Sequence, residues 1–190
     1  MILAAIAFCL ALTPTIQHPM TYEQLLESKH IDRAKLPKVE VKIAGKGSFI
    51  IELVPELAPK TCEQILKLAK EGFYTGQRVH RVEDWVVQWG DPQSKKSDFE
   101  ELPVGTEGSG HPLPYEDNAI PLTRGVFAMA STGAKVGGDS QVFILTKDDP
   151  QITQFLQGKY AAFGFVIHGM DVVVKLKRWD KIESMALVQR

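Results

Sequence analysis

The chain has 190 residues, of which 44% are hydrophobic and 24% are charged, and its formal net charge is −1. This composition is typical of one globular domain with a short extension. The near-neutral charge does not indicate a nucleic-acid-binding protein, and the sequence contains no glycine-rich phosphate loop, paired-cysteine metal spacing or HExxH pattern. We therefore expect no nucleic-acid partner, no metal and no cofactor.

The first 14 residues differ in kind from the rest. Met1 to Leu12 is continuously apolar, too short to span a bilayer comfortably but as long as the apolar region of a signal peptide. Residues 1–14 are therefore predicted to be a signal peptide, and the protein is expected to be exported, periplasmic or extracellular, without a membrane span in its mature form. The alternative is a hydrophobic N-terminus on a cytoplasmic protein. After removal of residues 1–14, Cys62 is the only cysteine, so no intramolecular disulfide can form.

Residues 15–37 are polar and mixed, and they are predicted to be an N-terminal arm or linker. Within them, Thr21 followed by Gln24 has the spacing of a capping box, which predicts one short helix through about Ser28. A domain is predicted from residue 38 to residue 190.

Strand and helix patterns begin at Lys38. The segment "KVEVKIAG" alternates apolar and charged residues, which predicts a half-buried strand. Gly45 and Gly47 mark a turn, and "SFIIELV" returns as the second strand of a hairpin. In "APKTCEQILKLAKEG" the apolar residues recur at helical spacing and Pro59 suits the first helical position.

The next stretch is "FYTGQRVHRVEDWVVQWGDP", residues 73–92, a predicted strand with Arg81 in its middle and Gln88 near its end. A loop follows from about Asp91 to Thr123. Then "GVFAMAS", "SQVFILT" and "AAFGFVIHG" predict strands, "MDVVVKLKRW" a second helix, and "ESMALVQR" a closing strand. Six to eight strands with one early and one late helix do not alternate as in a parallel sheet, and they favour an antiparallel barrel or sandwich.

Three of these stretches occur together in one order. They are "FYTGQRVHRVEDWVVQWGDP", "GVFAMASTGAKVGGDSQVFILT" and "FLQGKYAAFGFVIHGMDVV", and they resemble segments of the cyclophilin family of peptidyl-prolyl isomerases. The resemblance covers about Lys38 to Arg190. It implies a mainly β fold, a closed eight-stranded antiparallel barrel capped by two helices. It also implies an enzyme that accelerates rotation about X-Pro bonds in proline-containing polypeptides and so assists protein folding.

The resemblance also implies a set of site residues. Arg81 stands at the catalytic arginine of the family. The substrate-binding positions fall on Trp85, Val86, Gln88, Ala130, Gln141, Phe143, Phe155, Leu156 and Tyr160. The glycine-rich segment from Gly105 to Gly110 would border a neighbouring pocket.

The residue types at these positions suit the implied reaction. An X-Pro amide must lose its resonance to rotate, across a barrier of roughly 18–20 kcal/mol. A fixed donor that binds the twisted amide more tightly than the planar one lowers this barrier. Arginine is always charged, and its planar fork can be held by a neighbour. Gln88 is expected to hold Arg81 through its side-chain carbonyl, beside an apolar slot for the proline ring.

The sequence also departs from the family pattern. The interval between Arg81 and Trp85 is one residue shorter, Phe155 stands where a tryptophan donates to cyclosporin, and Tyr160 occupies a position that is often histidine. These departures keep open a second hypothesis, a non-catalytic module or chaperone that binds proline-containing segments. A third is a barrel with a small ligand inside. The protein is expected to be a monomer.

Overall fold

The computed structural model describes residues 20–189 of the chain. Within these residues the α-helices are α1 (Tyr22–Ser28), α2 (Pro59–Lys70), α3 (Pro150–Leu156) and α4 (Met170–Val173). The strands are β1 (Lys38–Ile43), β2 (Gly47–Leu53), β3 (Arg81–Val82), β4 (Val86–Trp89), β5 (Val126–Met129), β6 (Val142–Leu145), β7 (Ala162–His168) and β8 (Ile182–Leu187). The predicted signal peptide lies outside the described residues.

Eight strands form one antiparallel sheet in the order β3-β4-β6-β5-β7-β2-β1-β8. The expectation of a closed barrel is wrong, because β3 and β8 share no strand ladder and the sheet is an open half-barrel. The chain segments that precede these two strands meet instead, at an isolated bridge between Arg78 and Lys181. Gly76 and Trp179 have φ values of 83° and 75°, and such positive φ values interrupt an extended ladder.

Side-chain contacts and irregular hydrogen bonds cover this gap in the sheet, and we call them the seam. They involve Arg78, Val79, Phe99 and Trp179. Trp179 N donates to Val79 O at 2.7 Å, and the Arg78 guanidinium donates to Trp179 O at 3.1 Å. The guanidinium also lies 4.4 Å from the ring centre of Phe99, which meets the Trp179 ring edge-to-face at 4.9 Å. The seam therefore holds the chain that leads directly into β3.

Helices α1 and α3 have side-chain caps at their N-termini, and the helices differ from the sequence prediction in two ways. The capping box of Thr21 and Gln24 is present at α1. The late helix is shorter than predicted: α4 has four residues, and its run of valines disfavours helix because β-branched side chains lose rotamer freedom there. Helix α3 was not predicted, although Asp149 accepts from the first-turn N–H groups and Pro150 begins the helix.

The core has two parts. The interior of the half-barrel is filled by large side chains, including Trp89 stacked on Phe127 at 5.6 Å. A second apolar cluster lies beneath the N-terminal arm. It contains Tyr22, Leu25, Leu26, Leu36, Val86, Phe143, Leu156 and Phe165. The segment expected to be an arm or linker is therefore, in its described part, packed against the domain.

A buried carboxylate fastens this arm. Glu52 of β2 is fully buried; its Oε1 accepts from Arg33 Nε at 2.8 Å and from the Tyr22 hydroxyl at 3.1 Å. Lys38 Nζ lies 3.4 Å from its Oε2. The Tyr22 ring stacks on Phe165 with ring centres 4.4 Å apart. A buried charge needs such partners, because an unpaired one is costly.

Among residues 20–189, none of the helices combines the length and the apolar character that crossing a membrane requires.

Candidate active site

The β3–β4 hairpin positions the predicted catalytic arginine. Arg81 pairs with Gln88 and Val82 with Val87, and Glu83 N donates to Val86 O at 2.9 Å. The connection is therefore a two-residue turn. Because side chains alternate along strands, Arg81 and Glu83 share one face of the hairpin with their cross-strand partners.

The Arg81 guanidinium is held from two sides. Its Nε donates to Glu83 Oε1 at 2.7 Å and its Nη1 donates to Gln88 Oε1 at 3.3 Å. The guanidinium carbon lies 5.2 Å from the ring centre of Trp85. Behind Gln88 the chain of amides continues, since its Nε2 donates to Gln141 Oε1 at 2.9 Å. The side-chain carbonyl of Gln88 thus makes the contact expected from the sequence.

A pocket of about 270 Å³ opens beside this guanidinium. Its lining includes all the sequence-predicted site residues except one: Arg81, Trp85, Val86, Gln88, Ala130, Phe143, Phe155, Leu156 and Tyr160. Gln141 lines the adjacent pocket instead. Ser131 also lines the pocket and was missed, although it directly follows Ala130 in the sequence.

The pocket has an apolar floor and a more exposed rim. Val86, Phe143 and Leu156 are each at least 95% buried, and the Phe143 ring meets Tyr160 edge-to-face at 5.9 Å. At the rim the exposed fraction of Phe155 is 61%. The floor can therefore hold an apolar ring while its mouth stays open to a polypeptide.

A neighbouring pocket of about 500 Å³ is bordered by the glycine-rich segment, as expected from the sequence. Two carboxylates hold that segment through its backbone. Asp91 Oδ2 accepts from Gly105 N at 2.6 Å, and Asp139 Oδ2 accepts from Gly110 N at 2.9 Å. A Cβ at Gly108 would lie 2.6 Å from the Asp139 carboxylate, so a larger residue there would have to displace that carboxylate. Neither aspartate was predicted to be a site residue.

The charges near Arg81 are fixed by their surroundings. The hydrogen bond from Arg81 lowers the pKa of Glu83, which stays ionised. His80 is buried. Burial lowers the pKa of His80 to about 4 against the opposing effect of Asp91. His80 is thus neutral at pH 7, and Arg81 is the cation at this pocket.

No group of three or more His, Cys, Asp or Glu side chains within residues 20–189 could hold a metal ion.

Comparison with known proteins identifies the family. Residues 38–189 match the family described as "Cyclophilin type peptidyl-prolyl cis-trans isomerase/CLD". A "Probable peptidyl-prolyl cis-trans isomerase" of Brucella suis is 40% identical over 145 residues, covering 74% of this chain and 72% of that one. A "Peptidyl-prolyl cis-trans isomerase" of Helicobacter pylori is 35% identical over 164 residues, covering 84% and 91%.

The fold has a solved counterpart as well. The crystal structure of a cyclophilin type peptidyl-prolyl cis-trans isomerase of Cryptosporidium parvum superposes with a TM-score of 0.67 at 23% identity, covering 82% of this chain and 99% of the other. With the family match over most of the sequence, the chain belongs to the cyclophilin-type peptidyl-prolyl cis-trans isomerases.

Proposed function

We propose that this isomerase accelerates rotation about X-Pro bonds by presenting the Arg81 guanidinium beside a pocket that holds the proline ring. The observation that carries the proposal is the position of Arg81, on the wall of the apolar pocket and held from two sides. As a member of the family, the protein acts on peptidyl-prolyl bonds. The roles of individual residues are our own assignment.

The reaction requires no covalent step and no proton transfer. As the amide twists, its nitrogen loses conjugation and becomes a better hydrogen-bond acceptor. The contacts to Glu83 and Gln88 use Nε and Nη1, which leaves Nη2 of Arg81 to donate to the substrate. A donor already fixed in place favours the twisted amide without reorganising during the reaction.

The remaining pocket residues bind the substrate in this proposal. Val86, Phe143 and Leu156 form the floor beneath the proline ring, and Trp85 and Tyr160 stand at its sides. Gln88 and Gln141 form the amide chain that fixes Arg81 from behind. Ala130 and Phe155 line the path of the polypeptide that enters the pocket.

A non-catalytic proline-binding module or chaperone is the second candidate. The observation that favours it is the ion pair with Glu83, which occupies part of the Arg81 guanidinium in the free protein. The two candidates differ in turnover: a binding module retains proline-containing peptides but does not accelerate their isomerisation.

A protease-coupled assay on a short X-Pro peptide tests both candidates. We expect Arg81→Ala to lower kcat/KM by roughly 100-fold, or about 3 kcal/mol of transition-state stabilisation, as for loss of one preorganised donor. Arg124→Ala is the matched control, because Arg124 is an exposed arginine that does not line the pocket. Equal turnover of Arg81→Ala and the native protein would remove Arg81 from its role. Peptide binding without acceleration by the native protein would establish the binding module.

We also propose that the protein is exported, and that it acts as a monomer on exported polypeptides. The apolar run from Met1 to Leu12 supports export. N-terminal sequencing of the native protein tests this proposal: a mature chain that begins after about residue 14 supports it, and an intact Met1 contradicts it.

A further inference from the structure

The tight hairpin turn places a carboxylate on the pocket face of the sheet. Glu83 N donates to Val86 O, so only Asp84 and Trp85 connect the two strands. Strand alternation then puts Glu83 two residues from Arg81 on the same face, with Gln88 opposite Arg81. The backbone itself therefore brings the Glu83 side chain to the guanidinium.

The contacts of Glu83 and Gln88 on Arg81 are complementary. Glu83 Oε1 accepts from Nε at 2.7 Å, and Gln88 Oε1 accepts from Nη1 at 3.3 Å. Gln88 is neutral, whereas Glu83 forms an ion pair with this guanidinium. A planar fork held at two of its three nitrogens has few orientations left, and the third nitrogen keeps a fixed direction.

Asp84, the other acidic residue of this turn, pairs with a lysine and not with Arg81. Asp84 Oδ2 lies 2.6 Å from Lys147 Nζ, and the Asp84 side chain is 73% exposed. Glu83 and Arg81 are 44% and 42% exposed. Two adjacent carboxylates thus have different partners, one at the pocket and one on the outer surface.

We propose that Glu83 is a positioning residue of the isomerase reaction, which holds the Arg81 guanidinium so that Nη2 faces the twisting amide. The inference rests on the proposed role of Arg81. Glu83 does not contact the substrate, and its effect therefore falls on turnover more than on peptide binding. An arginine without this contact samples other rotamers and spends less time in the productive orientation.

The experiment compares Glu83→Gln with Asp84→Asn in the full chain. Both variants remove one negative charge from the same turn, but only Glu83→Gln removes a charge that contacts Arg81. We expect Glu83→Gln to lower kcat roughly threefold to fivefold, the size of a partly exposed ion pair, with KM within about twofold. We expect Asp84→Asn to match the native protein.

Raising the salt concentration should lower kcat of the native protein more than that of Glu83→Gln, because salt screens exposed ion pairs.

Three outcomes overturn the inference: an unchanged kcat in Glu83→Gln, a gain in kcat, or an equal loss in Asp84→Asn. Circular dichroism and thermal unfolding identify a variant that has lost its fold, and in that event Glu83→Ala is measured in its place. The Arg81→Ala variant distinguishes failure of this inference from failure of the proposed function. If Arg81→Ala turns over like the native protein, the role of Arg81 fails. If Arg81→Ala loses turnover while Glu83→Gln keeps it, only the role of Glu83 fails.

Discussion

Two carboxylates in this molecule accept from an arginine Nε at nearly the same distance, in very different surroundings. Glu52 meets Arg33 at 2.8 Å and Glu83 meets Arg81 at 2.7 Å. Glu52 is fully buried and also contacts Tyr22 and Lys38, whereas Glu83 is 44% exposed. The two arginines are similarly exposed, 47% for Arg33 and 42% for Arg81, so the pairs differ in the carboxylate. Water can replace a lost partner at Glu83, whereas the buried Glu52 and the buried Tyr22 hydroxyl depend on each other and on their protein partners.

The two carboxylates differ in what they affect: Glu52 the stability of the fold, and Glu83, in our proposal, the orientation of the Arg81 guanidinium. The Glu52 contacts fasten the arm over the apolar cluster, so their loss should appear in the free energy of unfolding. The Glu83 contact is partly exposed and should add little to the stability of the fold; in our proposal its effect is to orient the Arg81 guanidinium. Similar bond lengths in a structure therefore do not indicate similar roles.

The largest effect on stability is expected for Glu52→Ala. The substitution removes the acceptor of Arg33 Nε and of the buried Tyr22 hydroxyl, and we expect the free energy of unfolding in urea to fall by about 2–3 kcal/mol. The kcat/KM of the folded variant should stay at the native value. Glu52→Gln keeps an acceptor at this position and should lose less. A loss in Glu52→Ala no greater than that in Glu83→Gln would remove the contrast between the two pairs.

A smaller effect, on pH dependence, is expected from His80, next to Arg81. Its pKa is about 4 in the folded protein and about 6.5 in the unfolded chain. As the pH falls from 6.5 to 4, only the unfolded chain gains this proton, so the contribution of His80 to stability decreases and is about 2 kcal/mol lower at pH 5 than at pH 7.5. Below pH 4 both states are protonated and the contribution changes no further.

Urea unfolding across this pH range measures the effect of His80. His80→Gln carries no titrating group, so its stability should decline less steeply between pH 6.5 and pH 4 than that of the native protein. If stability declines equally with falling pH in the two proteins, His80 does not cause the acid sensitivity, and other titrating groups do.

The smallest effect is expected for Tyr22→Phe. The variant loses the hydroxyl that donates to Glu52 at 3.1 Å but keeps the ring stacked on Phe165. We expect a loss of about 1 kcal/mol in the free energy of unfolding. A loss as large as that of Glu52→Ala would mean that Tyr22, and not the arginine, carries most of the buried contact.

The parts of the fold that the sequence predicted are those with local signals. The β1–β2 hairpin, helix α2 and the capping box of α1 each depend on spacing within a few residues. The extent of the late helix was wrong, because the run of valines in α4 follows an apolar period without favouring helix. The open edge of the sheet was not predictable, since it depends on how the segments around Arg78 and Trp179 meet across the chain.

The candidate site shows the same division. The pocket residues were found through the resemblance of three segments, which carries spatial information that no single segment contains. Asp91 and Asp139 were missed because each acts on backbone N–H groups of a loop, and such contacts leave no spacing pattern. The ion pair of Glu83 could have been anticipated from the shortened interval between Arg81 and Trp85, which makes the turn too tight for Glu83 to leave the pocket face.

The positions of the tryptophans have a practical consequence. Of the three in the chain, Trp89 is buried against Phe127 and Trp179 lies in the seam beside Phe99. Of these three, Trp85 alone lines the pocket beside Arg81, with a charged guanidinium 5.2 Å from its ring centre. Indole fluorescence responds to nearby charge and water, so the emission of Trp85 supplies an intrinsic optical signal of peptide occupancy without any attached dye.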